Sequence, residues 1–557
     1  MSSAATSTST PLEMFYHWEK ETPNSIYFSQ PLSDGWHDFK WKQVADEVRR
    51  MVTAIKAMNL PPKSNIAIIS KNCAHWIMSD LAIWMSGHVS VPLYPNLTAD
   101  TIEQILNHSE AKLVFIGKLD GFKKIKDGIP SKLPCISYPK FYKTEATEDY
   151  PSWEDIIKDN DPMLENTNRS LDDLSTIIYT SGTTGMPKGV MHNFHSFTCA
   201  GHNGVELLNL NSESRFFSYL PLSHVAERML IESFALFCGG RIYFAQSLDT
   251  FPKDLRKADP TAFLAVPRIW TKFQMGILSK VPPKKLNILL SIPFVRGFIS
   301  NKILTGLGLS DCKFAVTGAA PIPLPMLQWF EKLGLVLLEG YGLSENFGYS
   351  HFNLPGKYRF GSVGQPLPGI TARIGEASEI QMKGNSVMIG YFKEDDKTAE
   401  VFTDDGYFKT GDQGSIDSEG YLKITGRVKD IFKTSKGKYV VPSPIEMKLS
   451  KNSNIEQVCV VGVGLPQPIA LTVLSEIGKS ISIEELNAEF DNFINSNINP
   501  TLEGHEKLKK IIIMNEDWSI ENKILTPTMK IKRNVIEKRY EDKFEPWYNS
   551  PTTVVRA

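Results

Sequence analysis

Between Trp41 and Met58 the apolar positions Val44, Val48, Met51, Ile55 and Met58 recur at three- and four-residue steps, which predicts an amphipathic helix over 41–58. A shorter helix is predicted over 11–20 and a strand over 25–30. Short β-branched runs then alternate with apolar helical stretches. Strands are predicted at 65–69, 89–94 and 112–116, and helices at 73–85 and 98–109, the second opened by Thr98 as N-cap. Such alternation predicts a parallel sheet with helices on its faces. The stretch 118–170 is polar and rich in Pro, Lys and Asp, so surface excursions are expected there.

Further strands are predicted at 176–179, 216–220, 262–266, 313–317 and 335–338. The last four end in small or polar residues: Pro221 to His224, Val266 to Arg268, Gly318 to Pro321, and Glu339 to Glu345. In open α/β sheets ligands bind at the carboxyl ends of strands, so these ends are expected to meet at one cleft. From 360 onward the pattern changes to short strands with glycine turns, as in a small β-barrel-like part. The run from Leu286 to Ile303 is interrupted by Pro293, Arg296 and Lys302. It reads as a core helix, with a helix lying on a membrane surface behind Lys284 and Lys285 as the alternative.

Composition narrows this picture little. A chain of 557 residues, 42% hydrophobic and 22% charged, exceeds one core and is expected to form two or more domains. A net charge of −1 gives no global bias toward nucleic acid, so any phosphate has to be met locally. The six cysteines are scattered without metal-ligand spacing and read as reduced and buried. Residues 1–10 lack an apolar segment and are expected to be a disordered tail of a cytoplasmic protein, with peripheral contact at a membrane as the variant; no stretch is long enough to span a bilayer.

The chemistry is concentrated in four places. The first follows the strand at 176–179: Thr180, Ser181, Gly182, Thr183, Thr184, Gly185 and then Lys188. Glycines let successive backbone N–H groups approach an anion, hydroxyls add donors, and a lysine supplies a point charge suited to phosphate oxygens. Pro187 stands where a P-loop would need glycine. The second is Gly340-Tyr341-Gly342-Leu343-Ser344-Glu345: room and a stacking face for a flat base, a hydroxyl, and a hard oxygen ligand for Mg²⁺. The third comprises Asp412, able to accept hydrogen bonds from vicinal ribose hydroxyls, and Arg427, able to donate to the same sugar. In the fourth, Leu525 to Arg533, a lysine carried on a mobile element can neutralise charge as a carboxylate attacks phosphorus.

In this order and spacing the four stretches resemble the adenylate-forming (AMP-binding) superfamily over about 12–540, and its long-chain fatty acyl-CoA synthetase branch most. The resemblance implies an α/β fold: a large N-terminal domain of parallel-sheet layers with the barrel-like part, 11–428, and a small mobile α+β C-terminal domain, 429–557. It implies ATP, CoA and a fatty acid as substrates and Mg²⁺ as cofactor. Lys188, Glu345 and Lys530 are then the catalytic residues, Glu345 holding the metal. Residues 180–185, Gly318, Ala319, Ala320, Gly340 to Gly342, Ser344, Asp412 and Arg427 bind ATP or AMP. Lys429 is the hinge, and His224 and Gly437 lie on the acyl and CoA side. Two departures stand out: Ser344 where threonine is usual, and Met529 where many members have glycine. Lys523 and Lys532 rival Lys530. An adenylating ligase for another acid or for a carrier protein, a luciferase-like oxidase and a nucleotide-binding scaffold are the alternatives.

Overall fold

The structure, a computed structural model, describes residues 8–32, 34–141, 144, 145, 147, 149–180, 187–526 and 529–557. The chain begins with a capped helix, Pro11–Glu21. The Thr10 hydroxyl accepts from the Glu13 N–H at 3.2 Å, and the Glu13 carboxylate accepts from the Thr10 N–H at 2.7 Å. Ser9 accepts a hydrogen bond from Thr198, and Thr10 is buried. The expected tail therefore already belongs to the fold at these two positions, because the cap and the contact to the helix Phe194–Leu207 hold them.

Two large sheets carry the N-terminal part. The first has nine strands among the described residues, with Arg215–Ser218, Ala262–Ala265, Phe314–Thr317 and Leu337–Tyr341 parallel at its centre. The second has seven, with Leu174–Thr180, Val89–Leu93, Asn65–Ser70, Leu113–Gly117 and Cys135–Ser137 parallel. Alternate residues enter different cores. Phe216, Leu264, Val316, Ile66 and Ile68 face a middle layer of helices that includes Trp41–Ala57 and Ala74–Met85. Phe217, Phe263 and Ala315 face one outer core, and Ala67, Ile69 and Val91 the other. Strands covered on both faces must read as continuous apolar runs, which is how they appear in the sequence.

The strand expectations hold to within a residue or three, and the alternating strands Asn65–Ser70, Val89–Leu93 and Leu113–Gly117 lie parallel in one sheet, as expected. Four antiparallel strands, Ile370–Ile374, Glu379–Gly384, Phe408–Ile416 and Leu422–Arg427, form the barrel-like part. Beyond residue 429 a separate four-stranded mixed sheet runs through Ile455–Val461, Ile469–Leu474, Lys510–Ile513 and Val554–Arg556, with a core on each face.

Three expectations are corrected. The polar stretch 118–170 carries the edge strand Cys135–Ser137 and, among the described residues, four buried aromatics, Phe122, Tyr138, Phe141 and Trp153, the last with its indole N–H on Glu47. Polar flanks hid them. The apolar run that follows Ala226, Glu227 and Arg228 predicts a helix; the helix there starts earlier and is wound in three pieces, with the wider-wound Arg228–Ser233 between Val225–Glu227 and Phe234–Cys238. The run 286–303 is not a core helix but two surface helices, Pro283–Ser291 and Pro293–Leu307, each with few buried side chains. Pro293 disfavours helical geometry at Ile292, which is extended (φ −92°, ψ 114°).

One guanidinium of the middle layer, Arg228, has no solvent exposure at all. Arg228 donates to Glu232 at 3.0 Å, to the Thr176 hydroxyl at 2.7 Å and to Asp80, and it lies against the rings of Phe197, Trp76 and Trp84. Burial, opposed by Arg228 and reinforced by Asp80, holds the Glu232 carboxyl far above its usual range. Replacing Arg228 by Met leaves Asp80 buried without its counter-charge. The expected loss is about 3–5 kcal/mol, read as a lowered urea midpoint.

Candidate active site

Four parallel strands of the first sheet end side by side, as expected from their sequence endings. After Arg215–Ser218 the chain turns through Pro221 to His224. That turn is braced from beneath: Asn72 accepts from the Leu222 N–H at 3.0 Å, and Lys118 donates to the carbonyls of Asn72 and Ala245. Glu227 accepts from Ser218 at 2.8 Å and from the Tyr219 N–H at 2.9 Å, and burial pushes its carboxyl up to about 8. His224 accepts from the Ala226 N–H through Nδ1. Burial, then Lys530, lower its pKa to about 4, so it is a neutral imidazole with its proton on Nε2. Asn72 and Lys118 escape a motif reading because their signal is burial, which a sequence does not display.

After Phe314–Thr317, Gly318 leads into Ala319, which adopts φ 65°, a left-handed geometry that costs an alanine strain. A Cβ on Gly318 would sit 3.2 Å from the Gly340 carbonyl oxygen, so these two strand ends touch through backbone. Gly342 lies against Gly348 closely enough that any side chain would collide. Ala320 is exposed beside them.

Tyr341 and Asp412 meet across the site. The phenol donates to Asp412 at 2.6 Å, and Arg427, paired with Asp412 in the antiparallel register, donates from Nε at 2.9 Å. Each carboxylate oxygen thus has one protein donor and lone pairs to spare. The Tyr341 ring is largely buried, and its phenol orients Asp412.

Glu345 lies in the turn Ser344–Asn346, its Oε1 accepting from the Tyr391 hydroxyl at 3.0 Å. Lys188, opposite Thr180 in the strand register, places its ammonium 4.8 Å from the centre of the same Tyr391 ring. Tyr391 belongs to the short strand Gly390–Tyr391, hydrogen-bonded to Lys188–Asn193, and so joins two motifs that lie far apart in sequence. His192 does likewise. Its Nε2 lies 2.7 Å from the Ser344 carbonyl, which can only accept, so Nδ1 accepts from Ser196 at 2.9 Å. Neither residue stands out in the sequence. Ser181, Gly182, Thr183, Thr184 and Gly185 lie outside the described residues.

From the C-terminal part a hairpin bridged at Leu525 and Ile531 carries Lys530. Protein around the ammonium, and then Arg427, lower its pKa, opposed by Asp412 and Glu345. Lys532 responds to burial and to Lys523 instead. Among the three lysines, Lys530 is therefore the one in the field of Glu345, Asp412, Arg427 and His224. Met529 takes φ 63°, the geometry that makes glycine the easier residue there. Lys429 is exposed in the turn Val428–Asp430, between Arg427 and Arg533's partner Asp430. Gly437 (φ 77°) forms the tip of the hairpin Phe432–Lys433 and Tyr439–Val440, and no described contact joins it to the residues around Lys530.

Among the described residues no three His, Cys, Asp or Glu gather as a metal cage. Mg²⁺ fits such a site when one carboxylate is shared with phosphate oxygens and water, and Glu345, held by one oxygen, has the right chemistry for that.

With that geometry in view, the comparisons with known proteins agree on a class. The AMP-binding enzyme family matches residues 15–392, and the AMP-binding enzyme C-terminal domain matches 429–552. The chain belongs to the AMP-binding enzyme family. It is 27% identical to the long-chain-fatty-acid–CoA ligase ACSBG2 of Xenopus laevis, over 97% of this chain and 84% of that protein. To long-chain-fatty-acid–CoA ligase 5 of Rattus norvegicus it is 30% identical, over 92% of this chain and 85% of that one. The fold is similar to the adenylation domain of a carboxylate reductase from Mycobacterium chelonae, with TM-score 0.82 and 20% identity, covering 97% and 91% of the two chains. ATP-bound MatB from Rhodopseudomonas palustris is similar at TM-score 0.75 and 22% identity, covering 96% and 100%.

The buried His192 yields a pH test. Its pKa is lowered to about 4, chiefly by burial, from an ordinary 6.5, so the unfolded chain binds more protons between those values. Its contribution is full above pH 6.5 and is lost as pH falls toward 4. His192→Gln keeps a donor for Ser344 and an acceptor for Ser196. It is expected to remove about 2–3 kcal/mol of the acid-side loss of stability, measured by denaturant titration across that pH range.

Proposed function

We propose that this enzyme activates a long-chain fatty acid with ATP, giving acyl-AMP and pyrophosphate, and then transfers the acyl group to CoA. The observation that supports the reading is that Lys188 and Glu345 meet at Tyr391, that Asp412 pairs with Arg427, and that Lys530 of the C-terminal part feels Arg427, Asp412 and Glu345. The long-chain preference is supported by the names of the relatives at 27–30% identity.

In the first step a carboxylate oxygen of the acid attacks the α-phosphorus and the bond to the β-phosphate oxygen breaks, so pyrophosphate departs. Asp412 and Arg427 hold the ribose, and Tyr341 keeps Asp412 oriented. Lys188 and the preceding loop hold the outer phosphates. Lys530 meets the carboxylate and the α-phosphate as their negative charges are forced together, lowering the barrier by electrostatics in a site already organised for it. A Mg²⁺ ion held by Glu345 would screen the phosphate oxygens. His224, neutral, is placed to orient the acid and not to repel or protonate it. In the second step the small domain turns about Lys429, withdrawing Lys530 and bringing Gly437 to the cleft. The thiolate of CoA then attacks the acyl carbonyl carbon and AMP leaves. Binding alone would not call for a lysine carried on the second domain, which weighs against the scaffold alternative.

The test is pyrophosphate release over a panel of carboxylic acids, with and without CoA. Long-chain acids are expected to exceed aryl, amino and short-chain acids. A preference for another class would replace the substrate while leaving the chemistry. Lys530→Ala is expected to slow acyl-AMP formation by about 10²–10³-fold and to leave thioester formation from supplied acyl-AMP near wild type. Equal loss in both half-reactions would count against the role given to Lys530. Because its pKa is lowered from 10.5, the adenylation rate is expected to fall on the alkaline side with an apparent pKa below that value.

A further inference from the structure

The helices Pro283–Ser291 and Pro293–Leu307 carry an apolar surface that the catalytic reading leaves unused. Phe294 is 96% exposed and Phe298, one helical turn on, 70%. Ile288 at 63% and Ile292 at 43% flank the bend between the helices, and Met275 is exposed on the preceding helix, Pro267–Leu278. No other phenylalanine among the exposed large hydrophobic residues is found in the described chain. Water solvates such rings poorly, and a cluster of them on one element marks a contact surface.

Charge decides which contact. From residue 260 to 310 the chain contains seven lysines and arginines and not one aspartate or glutamate, although the whole protein has net charge −1. Lys272, Lys280, Lys284, Lys285 and Lys302 are exposed, and none forms an ion pair among the described residues. Arg296 is spent on the carbonyls of Lys332 and Glu331, and Arg268 pairs with Glu456. An unopposed set of cations around exposed phenylalanines matches a bilayer whose surface is negative and whose interior is apolar. It suits a second copy of this chain poorly, because a two-fold contact would set the same cations against each other.

We propose that this helical pair docks on the surface of an anionic phospholipid bilayer, with Phe294 and Phe298 inserted among the acyl chains and the lysines at the headgroups. No helix of the described chain is long and apolar enough to cross a membrane, so the attachment is peripheral and reversible. The surface stands apart from the identity of the acid; if that acid is long-chain, docking sets the enzyme where such acids are dissolved.

Flotation of the full chain with vesicles tests this. The wild type is expected to float with phosphatidylcholine–phosphatidylserine vesicles at low salt, and to bind phosphatidylcholine alone, or the mixture at high salt, at least about tenfold less. Lys284→Ala with Lys285→Ala should lower affinity about 25-fold, roughly fivefold for each cation. Phe294→Ser with Phe298→Ser should lower it about tenfold or more for each ring. Neither pair touches the cleft, so thermal midpoints and pyrophosphate release from a water-dispersed acid should match wild type, which separates lost docking from lost folding. Absence of wild-type flotation overturns the proposal, as does undiminished flotation of the phenylalanine variant. A wild-type dimer in sedimentation that the phenylalanine substitutions dissolve would assign the patch to a second copy and overturn it equally.

Discussion

Arg228 is sealed from water, and the middle of the molecule is arranged around keeping it satisfied. A guanidinium in an apolar layer is tolerable only if its N–H groups find acceptors and its charge a partner. Asp80, from the helix that covers both sheets, supplies the charge. Thr176, on the strand that runs to the phosphate-loop stretch, supplies an acceptor and in turn donates to Ser90 on the neighbouring strand. Glu232 completes the set from Arg228's own helix. That same helix begins at His224. One buried cation thereby ties the strand Leu174–Thr180 to the turn that ends at His224. The wider winding of Arg228–Ser233 belongs to this arrangement, within the segment that presents both Arg228 and Glu232 to the cluster.

Around this base the cleft is assembled from groups that are held by one another. Asp412 has its direction set by Tyr341 and Arg427, and Glu345 by Tyr391, whose ring also receives Lys188. The pattern is a polar site pre-aligned before any nucleotide arrives, and prior alignment is what makes electrostatic assistance effective. Lys530 differs, since it comes from the second part of the chain on a tight hairpin, and its field includes both carboxylates. A chain of nearly zero net charge gathers a few cations, Lys188, Arg427 and Lys530, near these carboxylates. The longest run of the sequence without an acidic residue, 260–310, carries seven cations and includes the helices at 283–307.

Much of this was open to reading along the chain. Apolar periodicity set out the helices at 11–21, 41–57 and 74–85 and the buried strands within a few residues, because strands covered on both faces and helices covered on one leave an unmistakable pattern. The order and spacing of the glycine-, hydroxyl- and charge-bearing stretches pointed to a nucleotide phosphate site and to Lys188, Glu345, Asp412, Arg427 and Lys530. Periodicity failed where polar flanks masked buried groups, as at Tyr138 and Trp153, and where a long apolar run suggested a core that Pro293 and the surrounding cations turned outward.

The sequence by itself determined the element order, the family and the residue types that chemistry would need, since these rest on local pattern and on spacing along one chain. Which residues stand against which belonged to the tertiary structure. Tyr341 as the orienting donor to Asp412, Tyr391 between Lys188 and Glu345, His192 beneath Ser344, and Lys530 rather than Lys532 in the field of Glu345 and Asp412 all depend on the approach of distant segments. So does the exposure of Phe294. Burial and desolvation are properties of neighbours in space, and a linear pattern carries no record of them until the strands are paired and the helices laid upon them.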